Sequence, residues 1–155
     1  MVAQFSNMDT RKKLFGTILG FSGTGLLASV YSVKTHYEGG DHAICSFNEV
    51  FNCDVVNHSA YSEFLGIPVA LIGIAGYVFI MASIMQYKTS KNTLLMNLIS
   101  LAVILGAVFS AYLTYIEAYV LYTWCIICIT SAISMFVVMS ASLWLRQIDE
   151  KNNTA

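Results

Sequence analysis

Apolar residues in this chain run in four long blocks. The blocks cover about 14–33, 66–86, 93–115 and 124–145, each close to the roughly 20 residues a helix needs to cross a hydrocarbon core. Lipid offers no partner to backbone N–H and C=O groups, so blocks of this length satisfy them internally, as helices. The period-two alternation of a membrane β-strand is absent. Polar positions collect between the blocks, and the longest polar stretch, 34–65, separates the first two. The pattern predicts an all-α integral membrane four-helix bundle, with residues 1–155 as a single domain and the 34–65 loop on one face. Within that loop, Ala60 to Leu65 is expected to form a short interfacial helix leading to Pro68, whose fixed φ suits the start of the second span. Residues 1–10 and 149–155 are expected as mobile tails.

Composition narrows the picture. The chain is 57% hydrophobic and 11% charged, against roughly 25% charged residues in an ordinary soluble domain. A water-soluble fold is excluded, and no nucleic-acid partner is expected. The first apolar block is about 20 residues long, longer than the hydrophobic region of a signal peptide, and is expected to be a retained span. Glycine pairs at Gly16/Gly20 and Gly73/Gly76 would permit close helix packing.

Charge gives the expected orientation. Arg11, Lys12 and Lys13 precede the first span, Lys88 and Lys91 lie between the second and third, and Arg146 and Lys151 follow the fourth. With four crossings these fall on one side, and Lys34 alone on the other. By the positive-inside rule both termini are cytoplasmic and the 34–65 loop is extracytoplasmic. The loop's Glu38, Asp41, Glu49, Asp54 and Glu63 make that face acidic.

Chemistry enters with the four cysteines. Cys125-Ile126-Ile127-Cys128 opens the fourth span on the loop side, with Thr123 as the expected helix cap. Free N–H groups and the positive end of the helix dipole gather there, the setting in which cysteines react as thiolates. Cys128 lies on the same face about one turn deeper. A structural disulfide gains little from closing so short a loop, so the pair reads as redox-active. Cys45 and Cys53, seven residues apart in the loop, are expected to be disulfide-bonded in an oxidising compartment. Taken alone they are equally a structural staple. Two pairs at one face make a relay, because exchange needs only a thiolate that reaches a disulfide sulfur. No metal site is expected: zinc cysteines usually stand two to four residues apart, so His36, His42 and His58 read as loop residues.

Tyr112, Tyr115, Tyr119, Tyr122 and Trp124 crowd the loop-side ends of the third and fourth spans, as interfacial belts do. Phe64, Phe109, Tyr112 and Tyr122 are also candidates to wall a flat apolar pocket beside Cys128. Glu117 is the one acid near the outer end of the third span; contact with headgroups and proton handling both stay open for it.

From about Arg11 to Ile148 the chain resembles the vitamin K epoxide reductase family in its small bacterial form. The resemblance is carried by Cys45-Ser46-Phe47-Asn48-Glu49-Val50-Phe51-Asn52-Cys53-Asp54-Val55-Val56-Asn57, by Phe64-Leu65-Gly66-Ile67-Pro68-Val69-Ala70, and by Tyr119-Val120-Leu121-Tyr122-Thr123-Trp124-Cys125-Ile126-Ile127-Cys128-Ile129-Thr130. It implies a four-helix bundle around a quinone (ubiquinone or menaquinone), with a short half-helix from the outer loop lying over the pocket. Bacterial members reoxidise a thioredoxin-like partner that makes disulfides in the periplasm. With no thioredoxin-like segment in these 155 residues, the resemblance implies a separate partner protein and a place in the bacterial inner membrane. It also implies that Cys45 exchanges with the partner, that Cys53 exchanges with Cys125, and that Cys128 sits next to the quinone. The animal branch reduces vitamin K epoxide and quinone. It has a tyrosine where this chain has Ala132, and its carbonyl-holding asparagine aligns near Ser62. The competing expectations are a vitamin K quinone or epoxide reductase driven by an external dithiol, and a non-catalytic scaffold or redox sensor with structural disulfides.

Overall fold

The computed structural model describes residues 2–38 and 50–154. Along the chain these form α1 (Val2–Glu38), α2 (Cys53–Asn57), β1 (Glu63–Phe64), β2 (Ile67–Pro68), α3 (Val69–Ser90), α4 (Thr93–Ile116), a π-helical turn (Glu117–Leu121) and α5 (Ile126–Thr154). Four of the helices are long and apolar enough to cross a membrane. α1 packs against α3 and α5, and α4 packs against α5 and α3.

The apolar blocks become helices because nothing inside them competes, and the polar residues at their ends stop them. Between α3 and α4 only Lys91 and Asn92 intervene. Lys91 adopts a left-handed conformation and its N–H donates to the Tyr87 carbonyl at 2.9 Å. The Asn92 side chain then accepts the Leu94 N–H at 2.9 Å. A C-cap followed at once by an N-cap reverses the chain tightly, which makes α3 and α4 an antiparallel pair.

At this turn end the bundle is filled. Ile18, Ile84, Ile99, Val138 and Leu145 are fully buried in one apolar cluster. The outward-facing positions, among them Leu27, Leu94, Leu101 and Trp144, are as apolar as the core. A bilayer has no preference for water-soluble side chains on that surface, so a helix apolar all round is the expected solution. Arg11 pairs with Asp149 at 3.2 Å, and the Tyr87 hydroxyl donates to Asp149 at 2.6 Å, tying α1, α3 and α5 together. Seven of the eight basic residues belong to this end.

Several local expectations are corrected. The expected tails are helical over residues 2–10 and 149–154. Polar pairs one turn apart, Lys13–Asp9 at 3.6 Å and Arg146–Glu150 at 2.8 Å, carry the helices past the apolar blocks. The second span begins at Val69 rather than residue 66. Ala60 to Leu65 is not a helix: β1 and β2 pair antiparallel, Glu63 with Pro68 and Phe64 with Ile67. The two residues between them, Leu65 and Gly66, have φ of 56° and 78°, the positive pair that a tight hairpin turn requires. The short helix lies earlier, as α2, where the Asn52 side chain accepts the N–H groups of Asp54 and Val55. Close helix approach falls at Gly25 and Gly73, where a Cβ would run into Tyr77 and Ser29; Gly16, Gly20 and Gly76 face open space.

Candidate redox site

The site is assembled at the end opposite the α3–α4 turn, and it starts from a single β-bridge. Phe51 pairs in parallel with Trp124. The Trp124 N–H donates to the Val50 carbonyl at 2.8 Å, and the Asn52 N–H donates to the Trp124 carbonyl at 3.2 Å. Each bridged strand is followed by a cysteine. After Asn52 comes Cys53, the first residue of α2; after Trp124 comes Cys125. Both are fully buried, in one cluster with Val56, and Leu121, Ile127 and Cys128 pack around it. Cys53 is disulfide-bonded, whereas Cys125 and Cys128 are free thiols. Cys45 and His42 lie outside the described residues.

Cys125, rather than Thr123, occupies the start of α5. Its carbonyl accepts the Ile129 N–H at 2.9 Å, and its sulfur accepts the Cys128 N–H at 3.3 Å. The sulfur thus does what a serine oxygen does at a helix N-cap. The Thr123 hydroxyl turns back to the Leu121 carbonyl at 3.2 Å.

The irregular backbone ahead of α5 brings in Glu117. α4 ends in the π-helical turn Glu117–Leu121, closed by Tyr122 in a left-handed conformation. Isolated π-turns often mark functional positions, because the extra residue rotates the side chains that follow. Here Glu117 is buried, 4% exposed. Its carbonyl accepts the Thr123 N–H at 3.2 Å, and its carboxyl accepts the Cys125 N–H at 3.1 Å. The same carboxyl is within hydrogen-bonding reach of the Cys128 thiol.

Below Cys128, between the helices, lies a cavity of about 790 Å³. That is within the roughly 300–1,000 Å³ typical of pockets for small apolar ligands. Of the residues singled out in the sequence, Cys128, Ser62, Phe64, Phe109 and Tyr112 line it. Phe64 meets Phe109 edge-on at 6.3 Å, and Phe109 stacks with Tyr112 at 6.5 Å. Tyr122 does not line the cavity: its left-handed backbone turns the side chain outward, where it is 75% exposed. The Ser62 hydroxyl already donates to the Ser59 carbonyl at 2.8 Å.

Sequence reasoning passed over Asn57, the main polar group on the opposite wall. It is buried; its side-chain oxygen accepts from Ser32 at 2.7 Å and its amide donates to Thr35 at 2.7 Å. The His36 ring bonds its carbonyl at 2.7 Å and approaches Glu63 at 3.6 Å. A signal was present: Asn57 is four residues beyond Cys53, hence on the same face of α2.

Four spans, a thiol pair at the mouth of an apolar cavity with Cys125 buried and Cys128 half-buried, and a third cysteine, Cys53, seated against Cys125 define a membrane-embedded thiol protein. The model of the Vitamin K epoxide reductase family matches residues 17–143. The chain belongs to that family, and is on that ground a membrane oxidoreductase of the thiol and quinone type. Among curated proteins none matches.

Proposed function

We propose that the chain, a single membrane domain in a bacterial inner membrane, oxidises a periplasmic thioredoxin-fold protein and reduces ubiquinone or menaquinone. Both termini then face the cytoplasm and the cysteines face the periplasm. The observation that carries this reading is the Phe51–Trp124 bridge, because it seats the disulfide-bonded Cys53 against the free thiol Cys125 in one buried cluster.

In this scheme the loop disulfide is Cys45–Cys53. The partner's thiolate attacks Cys45, and a second partner thiolate resolves the mixed disulfide, leaving Cys45 and Cys53 reduced. Cys53 then attacks Cys125 of the Cys125–Cys128 disulfide, Cys45 resolves it, and the helix pair is left as two thiols. Each exchange breaks one S–S bond and makes another, so two electrons move inward with two protons. Once Cys45–Cys53 has closed again and both helix thiols are free, the helix pair is ready to be reoxidised.

The cavity's residues fit a quinone. Phe64, Phe109 and Tyr112 offer flat apolar surface, Asn57 and Ser59 offer polar groups, and Cys128 supplies the thiol on the wall. A quinone bound there supplies the acceptor for two electrons and two protons, which closes Cys125–Cys128 again. Ala132, also on the wall, supports a quinone rather than an epoxide as the substrate, since the animal branch has a tyrosine there.

The test mixes detergent-purified protein with a reduced thioredoxin-like protein and a short-chain quinone and follows quinone absorbance, with Cys128→Ala as control. Loss of absorbance with the native chain alone is the expected result. No turnover, with the Cys53 disulfide surviving the reduced partner, would overturn it. Vitamin K epoxide as acceptor separates the competing substrate.

A further inference from the structure

Oxidising two thiols to a disulfide breaks two S–H bonds, forms one S–S bond and releases two electrons and two protons. In the scheme above the electrons pass to the quinone; the protons need an acceptor close to each sulfur. We propose that the Glu117 carboxylate is the base that takes the Cys128 thiol proton, so that Glu117 is a catalytic residue of the helix pair. The S–H bond of Cys128 breaks, an O–H bond forms on Glu117, and the sulfur keeps the electron pair it later gives up. The Cys125 proton leaves separately. This inference rests on the proposed reoxidation of the helix pair.

Three observations carry it. Glu117 is nearly inaccessible, 4% exposed, at the loop end of a membrane helix, where an ionisable side chain is costly to keep and is ordinarily functional. It holds the first half of the C-x-x-C through the Cys125 N–H at 3.1 Å and shares the cavity wall with Cys128. A carboxylate has about four acceptor positions, so the backbone bond leaves room for the thiol. Finally, among the described residues it is the one carboxyl group on the cavity wall.

The other titratable groups on that wall are held elsewhere or stand at a distance along it. His36 of α1 is engaged by the Asn57 carbonyl and Glu63, and Tyr77 of α3 donates to the Ser131 carbonyl at 2.8 Å. Tyr112 of α4 stacks with Phe109, and Tyr61 stands in the connection to β1. A purely structural Glu117 would only hold the backbone of residues 123–125. Glutamine keeps the carbonyl oxygen that accepts the Cys125 N–H and removes the ability to take a proton, which separates the two roles.

The experiment uses reduced protein in detergent with neither quinone nor partner, so its outcome is independent of the substrate assignment. N-Ethylmaleimide labelling of the Cys128 peptide is followed by mass spectrometry across a range of pH. Glu117→Gln removes a negative charge beside the sulfur and should move the rise in labelling rate to lower pH, while Glu117→Asp keeps part of the native profile. A Glu117→Gln profile that overlays the native one would overturn the proposal. A second measurement guards against a misfolded variant. Electrode-driven opening and closing of Cys125–Cys128 in the native chain should change a carboxyl C=O infrared band that shifts in deuterium oxide. A native difference spectrum without such a band would also overturn it.

Discussion

The two ends of this bundle are built by opposite rules. At the α3–α4 turn, regular helices run to their caps, reverse over two residues and pack fully buried Ile, Val and Leu side chains against one another. At the cysteine end, a five-residue helix, a two-residue hairpin, a lone β-bridge and a π-turn follow in quick succession, and the buried positions include Asn57, Glu117 and Thr123. Irregular backbone in a membrane protein is tolerated where other protein covers it or it lines a cavity. Here each irregular segment bonds another: residues 50–52 to Trp124, Glu117 to Thr123 and Cys125, and Ser62 to Val69. The first end supplies a rigid frame; the second holds two thiols, a carboxyl and a cavity at fixed separations.

The sharpest break of this contrast removes a thiol. Cys128→Ala should lower thiol-driven quinone reduction by more than about a thousandfold while the melting temperature in detergent barely moves. Residual turnover near the native rate would take Cys128 out of the path. The reverse pattern is expected at the other end. Leu145→Ala, in the fully packed cluster, should cost about 2–5 kcal/mol of stability and leave Cys128 labelling per folded molecule unchanged, as read by denaturation and mass spectrometry together.

Smaller effects sharpen the comparison. Asn52→Ala removes the side chain that caps α2, worth about 1 kcal/mol. It should slow exchange between the loop and helix cysteines severalfold without changing Cys128 labelling in the reduced protein, and stopped-flow quench with thiol trapping reads both. The smallest effect falls at Lys91, whose φ of 47° is strained for a side chain. Lys91→Gly should raise stability by up to about 1 kcal/mol with turnover unaltered, because this cap touches nothing at the cysteine end.

The frame was legible in the sequence, since long apolar blocks leave lipid-embedded backbone a single solution, and the four spans lie where the blocks do. The positions of Cys125 and Cys128 at the start of the last span could also be read. What the sequence hid depends on contacts between distant segments. The bridge of Phe51 to Trp124 joins residues more than seventy positions apart, and no local pattern announces one pair of strand residues. The hairpin at Leu65-Gly66 is hidden because an apolar residue with positive φ is costly and uncommon. Asn57 was missed because its value lies in α1, through Ser32 and Thr35. Residue preference points to Thr123 as the cap of α5, whereas a cysteine sulfur fills that role.

The full burial of Cys125 has a consequence for traffic through the molecule. A small thiol arriving from water cannot strike that sulfur, because the bridged strand and α2 cover it. On the proposed function, reducing equivalents in the surrounding fluid are thereby kept from striking Cys125 directly, and current would reach it by way of Cys53.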